Sequence, residues 1–220
     1  MQRIAVIDYG MGNLRSVSKA VEHVADGGAD GGAEVVVTSD RDLIESADRI
    51  VFPGQGAARD CMAEIHGHHL VPTLLKVITD RPFLGICMGM QVLLERSEEH
   101  WETDCLNVIP GIVRALPVDA VDPADGTRLT VPQMGWNQVN LRLQHPLWHG
   151  IEDASYFYFA NSFVADPTDP GVVAGTTWYG VEFTSALARG NLFATQFHPE
   201  KSATDGLQIL RNFVSWDGKP

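Results

Sequence analysis

Cys87 lies two residues after Gly85 and two before Gly89, in the stretch Gly85-Ile86-Cys87-Met88-Gly89-Met90-Gln91. Glycine, nucleophile and glycine at this spacing form a nucleophile elbow, in which a strand turns sharply into a helix and exposes the reactive atom. The apolar run over residues 83–86 predicts the strand, and residues 88–95 predict the helix. A turn this tight brings each flanking position against neighbouring backbone, so glycine suits both. A thiol at a helix N-terminus meets free amide N–H groups and the positive end of the dipole, which favour thiolate. The amide of Met88, next after the nucleophile, is placed to donate to an oxyanion. Gln91 follows one turn later, and its side chain leans back over the sulfur, toward a bound substrate. Short strings of this kind also arise by chance around a structural cysteine, so the assignment needs partners from elsewhere in the chain.

His198-Pro199-Glu200 supplies them. His198 follows a predicted strand over residues 192–197. Pro199 is expected to hold the chain extended, so that His198 and Glu200 project to one side. They then read as a base for the thiol and the carboxylate that orients it. Taken singly, His198 reads better as a satisfied surface histidine. His145-Pro146 has no acid two residues on and falls in a turn, so it is not assigned a role. Pro53-Gly54-Gln55-Gly56 follows a third strand, where ligands of open α/β sheets bind. Its amides are the candidate second oxyanion donor, and the alternative is a simple turn. His66-Gly67-His68-His69 lacks the Cys or carboxylate that would complete a metal site. Gly10-x-Gly12 lacks the third glycine of a dinucleotide loop, position 15 being Arg15. Neither a metal nor a cofactor is implied.

Positioning these groups requires a sheet whose strands end at a common edge. The continuous apolar run at residues 4–7 reads as a buried parallel strand, and residues 34–38, 49–52 and 83–86 read as the strands that follow it. Leu14, Val17, Val21 and Val24 recur at helical spacing, residues 41–47 read as a short helix, and another helix starts near Ala57. Leu207, Leu210 and Val214 mark a closing helix. Between residues 111 and 197, strands are predicted at 111–116, 139–143, 156–159, 172–176, 183–188 and 192–197, with no long helices between them. The fold class is therefore α/β: an open, mixed, mainly parallel sheet flanked by helices, with antiparallel strands in the C-terminal half. No linker divides residues 1–220, so one domain is expected. Residues 25–33, a tandem Ala-Asp-Gly-Gly repeat, read as a flexible surface loop.

Bulk properties narrow the function. A net charge of −12 without a cluster of Lys and Arg argues against nucleic acid. No apolar run is long enough to cross a bilayer. Residues 1–8 read as a first strand and not as an export signal. Three cysteines cannot all pair, and a reducing cytoplasm is the simplest setting.

Together, the elbow, Pro53-Gly54-Gln55-Gly56 and His198-Pro199-Glu200 resemble the class I, triad-type glutamine amidotransferases, which share a flavodoxin-like α/β fold. Asp8-Tyr9-Gly10-Met11-Gly12-Asn13, Val131-Pro132-Gln133-Met134-Gly135-Trp136-Asn137 and His198-Pro199-Glu200-Lys201-Ser202 are similar to the glutaminase subunits of imidazole glycerol phosphate synthase. The resemblance covers the chain except the Ala-Asp-Gly-Gly repeat. It implies hydrolysis of glutamine through a glutamyl thioester on Cys87, with His198 as acid and base and Glu200 as its orienter. Met88 and Gly54, Gln55 and Gly56 would supply the oxyanion donors, and Gln91, Asn161, Ser162 and Phe163 would hold glutamine. It also implies a partner, a (β/α)₈-barrel cyclase subunit in a heterodimer, which receives the ammonia and makes imidazole glycerol phosphate and aminoimidazole carboxamide ribotide in histidine biosynthesis. Gly12, Asn13, Trp136, Asn137 and Lys201 match positions that face that partner. Gln55 stands where many relatives carry valine, and Asn161 and Phe163 where His and Tyr are common. An amidotransferase domain feeding anthranilate or carbamoyl phosphate synthase is the rival enzyme, and the Met-Gly-Trp-Asn stretch speaks against it. A silent scaffold is the rival without chemistry, and the intact Cys87, His198 and Glu200 speak against that.

Overall fold

The computed structural model describes residues 2–26, 32–100 and 102–220; most of the Ala-Asp-Gly-Gly repeat, residues 27–31, lies outside them, as does residue 101. Thirteen strands and six α-helices are described. The first half alternates: β1 (Gln2–Ile7), α1 (Leu14–Asp26), β2 (Ala33–Thr38), α2 (Arg41–Ser46), β3 (Arg49–Gly54), α3 (Ala58–Gly67), α4 (Val71–Asp80), β4 (Phe83–Cys87) and α5 (Met88–Gln91). Strands then dominate: β5 (Arg96–Ser97), β6 (Thr103–Asp104), β7 (Gly111–Ala115), β8 (Gln133–Leu141), β9 (Ser155–Asn161), β10 (Phe163–Pro167), β11 (Val173–Trp178), β12 (Glu182–Arg189) and β13 (Leu192–Thr195), before the closing α6 (Ala203–Ser215).

Five strands run parallel in the order β2-β1-β3-β4-β13. This is the doubly wound, flavodoxin-like order, here built from strands distant in sequence. The sheet continues from β13 through antiparallel β12, β10 and β7, and the β8–β9 ribbon joins through β11.

Side-chain alternation splits the core into two layers. Ile4, Val6, Val51 and Leu84 pack with Val17, Val21 and Val24 of α1 and with Ile209, Leu210 and Phe213 of α6. Ala5, Ile7, Ile50, Phe52 and Phe83 face the other way, onto Ile44 of α2, Ile65 of α3, and Leu74 and Val77 of α4. A period of two on each strand therefore buries both faces, which is why these strands read as unbroken apolar runs.

Four local expectations are corrected. The elbow helix is four residues long, not eight. Beyond Gln91 the carbonyls of Val92, Leu93 and Leu94 accept from the amides of Leu106, Val108, Ile109 and Asn107, so an incoming segment takes the acceptors that a longer helix would have used. β8 begins at Gln133, not near Val139, because Gln133 through Val139 pair with Asn161 through Ser155 of β9. Pro199 opens a 3₁₀ turn (Pro199–Lys201) in place of an extended link, as its fixed φ allows at the first position of a helical turn. In α6 the buried stripe is Gly206, Ile209, Leu210 and Phe213, with Leu207 and Val214 half-buried at its margins.

Candidate active site

Parallel strands in register terminate together, and here that places three chain segments side by side. Gly54 at the end of β3 pairs with Cys87 at the end of β4, and Thr195, the last residue of β13, pairs with Ile86. The loops that follow carry Gln55 and Gly56, Met88, and His198. All four line one cavity of about 270 Å³ with Cys87.

Cys87 takes φ 56° and ψ −112°, a conformation unfavourable for any side chain-bearing residue. Its neighbours hold it there. A Cβ on Gly89 would lie 1.9 Å from the carbonyl oxygen of Phe52, and one on Gly85 would lie 2.9 Å from that of Gly89. The elbow is thus pressed against β3, and Cys87 is only 6% exposed. With a single helical turn behind it, the dipole at Cys87 is small, and the groups that act on the sulfur are local ones.

The strongest of these is His198. Its amide donates to the carbonyl of Tyr158 on β9 (2.9 Å), and Ser202 Oγ both donates to the His198 carbonyl (2.6 Å) and accepts from the Tyr158 amide (2.9 Å). These bonds tie the turn to β9. Within the turn His198 Nδ1 lies 2.9 Å from Glu200 Oε1, with both side chains almost fully buried. Burial by itself lowers the imidazole's affinity for a proton, but hydrogen bonds and charge attraction from Cys87 and Glu200 outweigh it and push the pKa up to about 10. The protonated ring beside the sulfur is the state this geometry favours.

Gln91 reaches back as its helical position predicts, but its Nε2 is taken by the Phe163 carbonyl (2.9 Å) and by Gln196 Oε1 (2.9 Å). Its Oε1 is buried without a partner, so that oxygen is the group left to meet a ligand. Asn161, Ser162 and Phe163 line the same cavity beside it. Asn161 Nδ2 donates to the Phe163 carbonyl (3.1 Å), leaving its own Oδ1 unpartnered.

Gly54 itself is sealed beneath the elbow: a Cβ there would lie 2.4 Å from Tyr9 Oη and 2.9 Å from Met88 Cβ. Tyr9 Oη donates to the Pro53 carbonyl (2.9 Å), and the Cys61 thiol donates to that of Gln55 (3.2 Å), fixing the strand's exit. Burial pushes Tyr9 well above its ordinary pKa and the Cys61 thiol to about 11, so both stay protonated donors.

Of the five residues matched to a partner-facing surface, only Lys201 lines the cavity, its Nζ 5.7 Å from the centre of the Tyr158 ring. Trp136 is half exposed and edge-on to Tyr158 at 6.2 Å. Asn137 Nδ2 donates to the Trp178 carbonyl (2.9 Å). Gly12 lies over Gly54, where a Cβ would come within 3.6 Å of its Cα, and Asn13 Oδ1 accepts from Ser16 at the start of α1 (3.4 Å).

Two polar residues that line the cavity or contact the sulfur escape the sequence reading. Glu99 closes one end of the cavity, its Oε2 accepting from the Ala58 amide at 2.7 Å. Its polar surroundings in sequence carry no signal. Gln196 Nε2 lies 3.7 Å from Cys87 Sγ. Its spacing of two from His198 on an extended chain was the available signal, because such residues share a face.

A larger cleft of about 820 Å³ lies on the antiparallel extension, but no cysteine or histidine lines it. Its arginines are already paired, Arg114 with Asp166 and Glu98, and Arg142 with Glu182. The His66-Gly67-His68-His69 segment ends α3, and among the described residues no three His, Cys, Asp or Glu side chains gather as metal ligands. No helix among them is long and apolar enough to cross a membrane.

Known proteins with similar sequences and folds agree with one another. A family model described as glutamine amidotransferase class-I matches residues 5–216. The imidazole glycerol phosphate synthase subunit HisH of Pseudomonas putida is 54% identical over 219 residues, covering 100% of each chain. The protein of the same name from Thiobacillus denitrificans is 55% identical over 214 residues, covering 97% of this chain and 91% of its own. Among solved structures, a glutamine amidotransferase superposes with a TM-score of 0.67 at 16% identity, over 96% of each chain. Another, from Thermotoga maritima, gives 0.57 at 16% identity, over 93% of this chain and 78% of its own.

Proposed function

This chain belongs to the class-I glutamine amidotransferase family, and from that premise we propose that it is the glutaminase subunit of an imidazole glycerol phosphate synthase, with Cys87, His198 and Glu200 as its catalytic residues. The observation that carries the reading is the convergence of sulfur, imidazole and buried carboxylate, with the Nδ1–Oε1 contact at 2.9 Å.

The reaction starts as the Cys87 thiol proton passes to His198, which leaves a thiolate beside an imidazolium. Cys87 Sγ attacks the side-chain carbonyl carbon of glutamine. The oxyanion accepts from the Met88 amide and from amides of the Gly54, Gln55 and Gly56 segment, each such donor being worth about 10²–10³ in rate. The C–N bond then breaks as His198 gives its proton to the departing ammonia. A neutral His198 next takes a proton from water, whose oxygen attacks the thioester, and the C–S bond breaks to release glutamate and restore the thiolate. Glu200 keeps the ring oriented and balances its charge throughout. Gln91 Oε1, the wall at Asn161, Ser162 and Phe163, and the Glu99 carboxylate offer acceptors to the amide and ammonium groups of the substrate.

Ammonia leaves for a cyclase subunit of (β/α)₈-barrel form, which uses it to make imidazole glycerol phosphate and aminoimidazole carboxamide ribotide. Two things support that assignment: the relatives' names, and the exposed Trp136 on β8 beside Tyr158 and Lys201 at the cavity mouth. Large aromatics beside a polar rim are the composition of a protein interface. Gly12, Asn13 and Asn137 complete the proposed contact surface, and a cytoplasmic location fits a biosynthetic subunit.

The test is Cys87→Ala in complex with the cyclase subunit. Glutamine-dependent synthesis disappears, while synthesis from added ammonium persists. Glutamine turnover surviving in the variant would remove Cys87 from the reaction.

A further inference from the structure

Among the described residues, Gln196 makes a direct polar contact to the reactive sulfur that the mechanism above leaves unused. Its side chain is completely buried, and its amide donates to the Ser185 carbonyl at 2.9 Å, fixing the backbone beneath it. Nε2 sits 3.7 Å from Cys87 Sγ, within N–H···S range, and Oε1 sits 2.9 Å from Gln91 Nε2. The orientation of this amide is dictated by its neighbour. Gln91 Nε2 faces two acceptors, the Phe163 carbonyl and Gln196, so the atom Gln196 turns to it must be oxygen. Its nitrogen is then forced toward the sulfur. Donation runs one way, from Gln91 to Gln196 to Cys87.

A fully buried amide needs real partners, since burying an unsatisfied N–H is costly. A neutral thiol is a poor acceptor and a thiolate a good one, because a charged acceptor strengthens the bond. We infer that Gln196 is a second hydrogen-bond donor to the Cys87 thiolate, locked in place by Gln91, which stabilises the sulfur as nucleophile and again as the leaving group of the thioester. The inference rests on the glutaminase reading for the leaving-group half only. It balances simply: Gln196 gives up no proton, and the electron pair returns to sulfur as the C–S bond breaks. The titratable groups around the sulfur are His198 backed by Glu200, Tyr9 and Cys61 beneath the elbow, and Glu99 and Lys201 across the cavity.

The test uses the full chain and iodoacetamide, with Cys87 alkylation followed by mass spectrometry against pH. Gln196→Leu keeps the bulk and removes the donor, and alkylation at pH 7 is expected to slow on the order of tenfold, as for the loss of a hydrogen bond to a charged group. Gln196→Glu still accepts from Gln91, yet donates only when protonated. Its deficit relative to the native chain is expected to shrink as pH falls from 8 to 6, which loss of packing alone would not produce. Native alkylation profiles in both folded variants would overturn the inference. Should the variants not fold, the native chain labelled with ¹⁵N-glutamine decides. One side-chain NH₂ pair is expected to shift as Cys87 titrates and to stay flat in Cys87→Ala; no such pair would overturn the inference. Slowed alkylation in a chain that never hydrolyses glutamine would leave Gln196 in place and remove the glutaminase reading instead.

Discussion

The two halves of the sheet are built by different rules. In the parallel half, β1, β3, β4 and β13 put apolar side chains on both faces, the edge strand β2 adds Ala33 and Val35 to one of them, and no side chain of these five strands leaves a buried polar atom unpartnered. In the antiparallel extension, Gln133, Asn161, Thr177 and Ser185 all bury polar atoms without partners. The parallel half therefore acts as a rigid jig whose common edge presents Gly54, Cys87 and the approach to His198. The extension closes over that edge with polar groups, pinning His198 through Tyr158 and Gln91 through the Phe163 carbonyl. Cys87 and His198 come from the edge of the well-packed part, and the open acceptors come from both sides, Gln91 Oε1 from the elbow and Asn161 Oδ1 from the extension.

Substitutions on either side of this division test it. The largest effect is expected where the two halves meet at the triad. Glu200→Gln retains the shape but loses the charge behind His198, and glutamine turnover falls about 10³–10⁴-fold; a drop under tenfold would deny Glu200 its role. Next comes the jig itself. Gly89→Ala drives a methyl into the Phe52 carbonyl and is expected to lower stability by about 3 kcal/mol in urea unfolding. Gly135→Ala on the β8–β9 ribbon meets nothing within 4 Å and suffers only from its positive φ, about 1 kcal/mol. Equal losses at the two sites would erase the contrast.

A third effect is a pH slope. The His198 pKa rises from 6.5 to about 10 on folding, so between those values the folded chain binds more protons than the unfolded one. The stabilisation is fully present below about pH 6.5 and is lost as pH climbs through 10. Unfolding midpoints should therefore decline over that window more steeply in the native chain than in His198→Gln, and parallel curves would contradict the charged pair. The smallest effect belongs to the outermost residue. Trp136→Ala is half exposed and should change stability by less than about 0.5 kcal/mol while weakening capture of the cyclase subunit. Unchanged capture would move the proposed interface elsewhere.

The parallel half was the more legible in sequence, and for a physical reason. A strand buried on both faces is an unbroken apolar run, so residues 4–7, 49–52 and 83–86 announced β1, β3 and β4. The start of β8 did not, because Gln133, Gly135 and Asn137 interrupt its pattern, and its strand character comes from pairing with β9. β10 went unread because it ends in Asp166-Pro167, residues that signal a turn. The elbow helix was overextended because Val92, Leu93 and Leu94 look helical, while their own carbonyls accept from Leu106, Asn107, Val108 and Ile109.

The identities and spacings of Cys87, His198 and Glu200 were fixed by the primary structure, and so was the need for glycine at 85 and 89, since a strand-to-helix turn leaves no room for a side chain. Tertiary structure alone decided that Cys87 and Glu200 together raise the imidazole's affinity for a proton, that both N–H groups of Gln91 are spent on the protein, that Glu99 lines the small cavity and that Gln196 reaches the sulfur. Those outcomes depend on which acceptor lies nearest to each donor once β3, β4, β9 and β13 are side by side. Distances of that kind are set by folding and are not written in the order of residues.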